Sequence, residues 1–475
     1  MPQREPDVNA TEDDDLVVVN GIDPRTGEYL VAPRPTVEFA EALKAPPSDA
    51  EADEAARERQ LRLDDGLQKT VEGVTEDDLA SAGWGVVFSG RQEDADLVAE
   101  QRRLLAPLLD RREAAAGDLY REYVGAGGVR NETGADWLAR HSVGPGPADP
   151  QDMPFYLLLV GGPEQIPFEF QYRVDLQRAV GRLHFDDMAG YARYSDAVLR
   201  SEGGGGPAKR LALFGPTNRG DRATALSLRR LVEPLQEKLG DKVGWQTTST
   251  TGEHATAAAL AALVDDDGPA LLLTAGHGLG LPLEDPEQRH RQGALVCSGW
   301  RGPGNPVRPA DVFTAADVRA GADLTGRMAF LFACYGGGTP AADDFGHRVD
   351  PKVPRSIAAL PFVSALPQAL LDRGMLAVMA HVDRAWGYSF GTGRADSTQT
   401  FRSTLTRLMN GRRVGAAFDD FNVRTGELAV DLAELLAKVV GGDTTALARY
   451  GGIWTSATDA RNYVVFGDPA ARLAV

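Results

Sequence analysis

Two short stretches set a histidine and a cysteine in the same local frame. In "LLLTAGHGLG", Leu271 to Gly280, an apolar run ends in a turn that holds His277 between two glycines. In "MAFLFACYGGG", Met328 to Gly338, an apolar run ends at Cys334, followed by Tyr335 and three glycines. A thiol and an imidazole placed just beyond apolar strands supply a nucleophile and the group that takes and returns its proton. Glycines beside His277 and after Cys334 let a peptide backbone approach closely and free the N–H groups of Gly278 and Cys334 to hold an oxyanion. The expected chemistry is attack on an acyl carbon by Cys334, with His277 as general acid and base. Their separation of 57 positions (334 minus 277) suits a Cys-His peptidase whose histidine lies about 50 residues before its cysteine.

Rival groups are weaker by the same reasoning. Cys297, in "GALVCSGW", reads as a small buried hydrophobe. His347 and His381 are alternative bases, and His381 also follows an apolar run, but it lacks the glycine frame. With only two cysteines the chain has no disulfide framework and no four-thiolate zinc cluster, and a reduced thiol is expected.

The elements that must carry these residues alternate. "WGVVFSG" reads as a strand, "EDADLVAEQRRLLAPLLDRREAAAG" as a helix and "PFYLLLVGG" as a strand. After "SEGGGGPAKR", Ser201 to Arg210, come strand "RLALFG", helix "ATALSLRRLVEPLQEKLG", strand "VGWQTT", helix "HATAAALAALVDD" and strand "ALLLTAG". A long Gly/Pro-rich loop leads to strand "MAFLFAC", helix "SALPQALLDRG" and strand "MLAVMAH". Strands alternating with helices mean a parallel, doubly wound α/β sheet, whose ligands bind beyond the carboxyl ends of the strands. The expected organisation is an acidic N-terminal arm over residues 1–80, a first α/β subdomain over 81–200, a glycine-rich linker over 201–210, and a catalytic α/β subdomain over 211–475.

The net charge of −18 is concentrated in the arm, where 21 acidic residues face 8 basic ones through Ala80. Such a field repels phosphate backbones, and no basic-aromatic platform or helix-turn-helix pattern is present, so a nucleic-acid partner is not expected. No apolar run is long enough to span a bilayer and the first residues lack the order of a secretory signal, so a cytoplasmic, non-membrane protein is expected. The arm holds a strand-turn-strand candidate, "LVVVNGIDPRTGEYLVA", with Arg25 at the tip of its turn. It reads either as a partly ordered extension or as a regulatory pro-segment.

Together, "LLLTAGHG", "AFLFACYGG" and the terminal "RNYVVFGDPAARL" resemble the gingipain family of cysteine peptidases, within the wider caspase-like group that includes legumain, clostripain and separase. "PFYLLLVGGPEQIPFEFQYRVDLQRAVGRLHF" is similar to that family's first subdomain. The resemblance, over roughly residues 83–475, implies a caspase-like fold in two α/β subdomains, with Cys334 as nucleophile and His277 as general acid/base. It implies an oxyanion hole from the N–H groups of Gly278 and Cys334. Asp221 matches the acid at the base of a primary pocket for arginine, Trp386 a wall of that pocket, and Asp383 is a second candidate for the acid. The family's histidine-orienting glutamate is missing, and Asn218 in "GPTN" is the nearest polar substitute. No cofactor is implied for the chemistry, while a structural calcium is compatible with the family.

The function expected is therefore a cysteine endopeptidase that cuts proteins or peptides after Arg or Lys. An intracellular enzyme of this kind needs restraint, and the arm would supply it, with Arg25 entering the pocket and cuts after Arg59 or Arg62 releasing it. A stress-triggered or antiphage cell-death pathway fits by analogy. Two alternatives stay within the fold: another primary specificity, and an inactive homologue that serves as a binding scaffold. A third alternative, an unrelated α/β hydrolase, has little support.

Overall fold

The protein is described from a computed structural model that covers residues 16–35, 38–39, 69–123, 132–144, 146–240, 242, 244–343, 345, 355–387, 398–440, 442–443 and 446–474. Ten strands form one large sheet. In chain order they are β1 (Trp84–Phe88), β2 (Tyr120–Tyr123), β3 (Tyr156–Val160), β4 (Ala179–Leu183) and β5 (Arg210–Pro216). They continue with β6 (Gln246–Gly252), β7 (Leu271–Ala275), β8 (Met328–Phe332), β9 (Ala377–His381) and β10 (Tyr463–Gly467). The spatial order is β2-β1-β3-β4-β10-β9-β8-β7-β5-β6.

Neighbours are parallel within β1–β4 and within β5–β9. The closing strand β10 lies between the two sets, parallel to β4 and antiparallel to β9. The α/β alternation expected from the sequence is thus present, and the two runs on either side of the glycine-rich linker share a single sheet. Strands β3 and β7 are buried at every residue, as central parallel strands covered on both faces must be.

Two motifs have evident structural work. Arg182 on β4 is buried and donates to Gln171 Oε1 (2.9 Å), Gly161 O (3.0 Å) and Pro167 O (3.2 Å), so it ties down the "VGGPEQIP" loop after β3. Burial without an ionised partner in contact pushes its pKa down to about 10. Asp468, just after β10, accepts from Trp84 Nε1 (2.9 Å) and Arg112 Nε (2.7 Å), and its backbone N–H donates to Tyr194 Oη (2.6 Å). The "FGDPA" stretch is therefore the clamp that fixes the closing strand against the first half.

A four-stranded sheet caps the carboxyl ends of β7 and β8, in the order Val312–Phe313, Leu295–Val296, His277–Leu279, Gly21–Ile22. The N-terminal strand-turn-strand candidate is present here: Ile22 bridges Tyr29, and the turn closes through Asp23 N to Glu28 O (3.0 Å) and Gly27 N to Asp23 O (2.8 Å). Among the described residues no helix is long and apolar enough to cross a membrane.

Candidate active site

Register places the two chemically distinctive residues side by side. Ala275 on β7 pairs with Phe332 on β8, and His277 and Cys334 each lie two positions further on. Gly276 N continues the ladder to Phe332 O (3.1 Å). A side chain at Gly278 would meet the Cys334 carbonyl oxygen at 1.9 Å, so glycine is required for the two loops to approach.

Behind the histidine stands Asp221. A turn from Asn218 to Asp221, with Gly220 at φ 72°, delivers this residue to the start of the helix Arg222–Ser227. Its backbone occupies the cap position, yet its side chain makes no cap hydrogen bond. Instead both carboxylate oxygens lie 3.0 Å from His277 Nε2. Tyr29 Oη donates to Oδ1 at 2.8 Å, and Thr224 Oγ1 donates to Oδ2. Burial acts to raise the Asp221 pKa, but the charge of His277 and the hydrogen bonds from His277, Thr224 and Tyr29 outweigh it and hold the carboxyl below its ordinary value. An ionised Asp221 accepts from Nε2–H, which leaves Nδ1 as the basic nitrogen of the ring. Nδ1 is buried and has no hydrogen-bond partner among the described residues. The rings of Tyr29 and Trp300 hold the imidazole edge-on at 5.7 and 6.0 Å.

Cys334 begins a loop fixed by two left-handed residues. Tyr335 (φ 57°) donates its N–H to the carbonyl of Asp383 (φ 71°) at 2.6 Å, Gly337 N donates to His381 O (2.8 Å), and Asp383 N donates to Gly338 O (3.2 Å). Two strained, non-glycine backbones locked together beside a buried thiol mark a site whose geometry is held by its surroundings. The sulfur accepts from Ala385 N at 3.1 Å. Burial pushes the thiol pKa well up, with the Ala385 N–H pulling partly in the other direction.

The cleft is filled by the chain itself. The carbonyl oxygen of Asn20 accepts from Gly278 N (3.0 Å) and from Cys334 N (3.1 Å), the two N–H groups expected to hold an oxyanion. Upstream, Asn20 N donates to Ala385 O (3.0 Å), Val19 bridges Trp386 antiparallel, and Gly387 N donates to Val18 O (3.1 Å). Downstream, Gly21–Ile22 runs parallel to Gly278–Leu279. A side chain at Gly21 would fall 2.8 Å from Cys334 Sγ. The Asn20 side chain is fully buried, its Nδ2 donating to Ser227 Oγ (2.9 Å) and Gly276 O (3.4 Å).

The other expected residues fall as follows. Asp221 stands against His277 in the place that Asn218 was expected to fill, and its two oxygens are not available to floor a pocket. Asn218 instead points its Nδ2 at Cys297 O (3.5 Å). Asp383 Oδ1 accepts from Arg384 N (2.7 Å) and lies 3.5 Å from the Arg384 guanidinium, which itself grips Asp343 with two bonds of 2.9 and 2.7 Å. Trp386 lines the cleft through its backbone, while its ring packs on Phe345 (4.6 Å) and Phe39 (5.5 Å).

His381 has both ring nitrogens engaged, Nδ1 with Asp383 O (3.4 Å) and Nε2 with Asp459 (3.1 Å). Cys297 is buried with its thiol directed at Leu295 O, and burial raises its pKa to about 12. Arg25 sits on the turn with 60% of its side chain exposed, five residues beyond the one that enters the cleft. His347, Arg59 and Arg62 lie outside the described residues. Sequence reasoning missed Asn20, Tyr29, Thr224 and Ser227. The available signal was the apolar run "LVVV" inside an otherwise acidic arm, which only an apolar groove would accommodate. Among the described residues no group of three or more His, Cys, Asp or Glu is placed to hold a metal ion.

No family model matches the sequence, and no curated protein matches it. Among solved structures the chain is similar to gingipain R (RgpB), an Arg-specific cysteine proteinase, at 12% identity and a TM-score of 0.47, covering 85% of this chain and 80% of that one. It is similar to the complex of RgpB pro- and mature domains from Porphyromonas gingivalis at 12% identity and a TM-score of 0.43, covering 82% and 80%. It is also similar to the separase–securin complex of Saccharomyces cerevisiae at 10% identity and a TM-score of 0.34, covering 70% of this chain and 17% of that one.

Proposed function

We propose that the protein is a cysteine endopeptidase working through Cys334 and His277. The observation that carries this reading is the convergence of two backbone N–H groups on the carbonyl oxygen of Asn20, at a point where a Cβ on the next residue would lie 2.8 Å from the Cys334 sulfur. That is the ground-state pose of a peptide about to be attacked. In the reaction the thiol proton passes to His277, and the sulfur adds to the carbonyl carbon. The oxyanion is then held by Gly278 N–H and Cys334 N–H. Asp221 fixes the ring through Nε2, keeps Nδ1 basic and stabilises the imidazolium that forms, while Tyr29 and Thr224 in turn fix Asp221.

Cleavage after Arg or Lys, the preference expected from the sequence, needs an acid in the primary pocket. Asp221 is committed to His277 and Asp383 to Arg384, so the support extends to peptide-bond hydrolysis and not to a basic preference. A bound segment across the cleft also supports a regulated enzyme. The reading is tested by profiling the purified chain on a peptide library that includes Arg, Lys, Asp and Asn at the cleaved bond. Cleavage that disappears in Cys334→Ala is the expected result. A chain that cleaves nothing and whose Cys334 resists a peptide-directed alkylating probe, with the N-terminal segment displaced by mild denaturant, would leave the scaffold reading.

A further inference from the structure

The segment Val18–Ile22 occupies the cleft as a substrate does. On one side of the Asn20 carbonyl the chain pairs antiparallel with residues 385–387, and on the other it pairs with the strand that starts at His277. The peptide bond between these two pairings, Asn20–Gly21, is the one whose carbonyl oxygen lies in the two-donor hole and whose next residue would place a Cβ 2.8 Å from the sulfur. A static plug needs neither feature. The residue at the bond is also received by polar groups: the Asn20 carboxamide is wholly buried, with Ser227 Oγ and Gly276 O as acceptors for its N–H groups, while its Oδ1 has no partner among the described residues. Gly21 leaves room beside the sulfur, since a Cβ there would lie 2.8 Å from Cys334 Sγ and 2.5 Å from Leu30 Cδ1.

We propose that Cys334 cleaves the Asn20–Gly21 bond of its own chain, and that the pocket formed by Ser227 and Gly276 selects an uncharged carboxamide side chain. The proposal rests on the peptidase reading above. In the first step the Cys334 sulfur bonds to the Asn20 carbonyl carbon, and its proton moves to His277. Collapse of the oxyanion breaks the C–N bond, and the imidazolium proton goes to the leaving Gly21 amine. Asn20 is left as a thioester on Cys334. In the second step water, deprotonated by His277, attacks that thioester. The imidazolium returns that proton to the departing sulfur, which restores the thiol, and the Asn20 carboxyl leaves as a carboxylate with its proton released to solvent. Water is the only co-reactant.

Cleavage severs the covalent tie between the upstream pairing and the rest of the chain. The piece ending at Asn20 is then held without a covalent tie, by the burial of Val17, Val18 and Val19, the pairing of Leu16–Val17 with Arg34–Pro35, the Asn20 side chain and backbone hydrogen bonds, and it loses the high effective concentration that tethering gave it. The hairpin that begins at Gly21 remains, with Tyr29 still on Asp221.

The test uses the full chain carrying a C-terminal tag, analysed by denaturing intact mass and N-terminal sequencing over time after purification. The expected result is conversion to a chain that begins at Gly21. Cys334→Ala stays whole, and Arg25→Ala is cleaved like the parent. Asn20→Gln, which keeps the amide but lengthens the side chain, is expected to slow conversion by at least about tenfold, the scale on which a fitted polar pocket rejects a misplaced group. Thermal melts of each variant show that it is folded. A whole wild-type chain that nevertheless cleaves library peptides would overturn the self-cleavage and leave the peptidase reading standing, as would cutting at another bond. A chain that cuts neither itself nor any peptide would remove both. Mixing wild type with a longer-tagged Cys334→Ala chain separates the routes: the variant should remain whole, because its own segment fills its own cleft.

Discussion

Two histidines end up at strand ends of the same sheet, separated by β8, and their surroundings are opposite. His277 follows β7, has Asp221 on Nε2 and, among the described residues, no partner on Nδ1. His381 ends β9 and has Asp459 on one nitrogen and the Asp383 carbonyl on the other, with Tyr463 edge-on at 4.7 Å. The cysteines divide the same way: Cys334 lies against a foreign carbonyl and a peptide bond, whereas Cys297 lies among its own strand's atoms. Burial does not separate these pairs, because all four residues are fully buried. What separates the histidines is whether a ring nitrogen is left without a partner among the described residues. An unpartnered nitrogen is costly in a structural histidine and is required in a base.

The largest expected effects break the comparison outright. Cys334→Ala should abolish peptide cleavage and His277→Ala should lower kcat by about 10² or more, while Cys297→Ala should change kcat little, all measured on peptides from the library. Next, Asp221→Asn should lower kcat by about 10²-fold with a smaller change in KM, because the wrong ring nitrogen would then carry the proton. The same variant has a pH signature. Folding lowers the Asp221 pKa, so its contribution is present above the unfolded value of about 3.9 and is lost as pH falls through the folded value. Stability measured between about pH 5 and 3 should therefore fall less steeply in Asp221→Asn than in the parent.

His381→Gln sharpens the contrast from the other side. It should lower folding stability by about 1–3 kcal/mol, as expected when buried polar partners are disturbed, and leave the kcat of the remaining folded enzyme within about twofold. Tyr29→Phe should give the smallest effect. It removes one of the hydrogen bonds on Asp221, so kcat should fall only a few-fold and the acid side of the pH profile should shift upward, since the carboxyl would be less strongly held in its charged form.

The parts visible in the sequence were those specified locally. Strands β1, β3, β5, β7, β8 and β9 read directly as apolar runs because both of their faces are covered. Strand β2, "YREY", did not, since an edge strand carries polar and half-exposed residues. Neither did β4, where Gly181 and Arg182 interrupt the apolar pattern for reasons set by contacts elsewhere: Gly181 by the Gly467 carbonyl, Arg182 by the loop after β3. The same division holds in the site. His277 and Cys334 were marked by their own glycine frames. Asp221 was marked as a charged residue at a helix start, but its partner lies 56 positions away and only the fold chooses between His277 and a substrate guanidinium. Asn20 was hidden by "NG", which ordinarily signals a turn. In this chain Asn20 sits at a bend between two strand pairings, and the turn comes at residues 23–28.

The closing strand has a consequence for the order in which the molecule can be made. Of the ten strands, β10 is the last to be synthesised, yet it lies between β4 and β9 in the middle of the sheet. Until it arrives, β4 and β9 each present an unpaired edge, and the helix that supplies Asp459 to His381 and to the Trp386 N–H has only just been completed. The residues that line the cleft opposite the His277 strand thus lack their support until nearly the whole described chain exists. Contacts so distant in sequence form slowly. A nascent chain therefore holds a thiol and an imidazole but no firm second wall for a peptide.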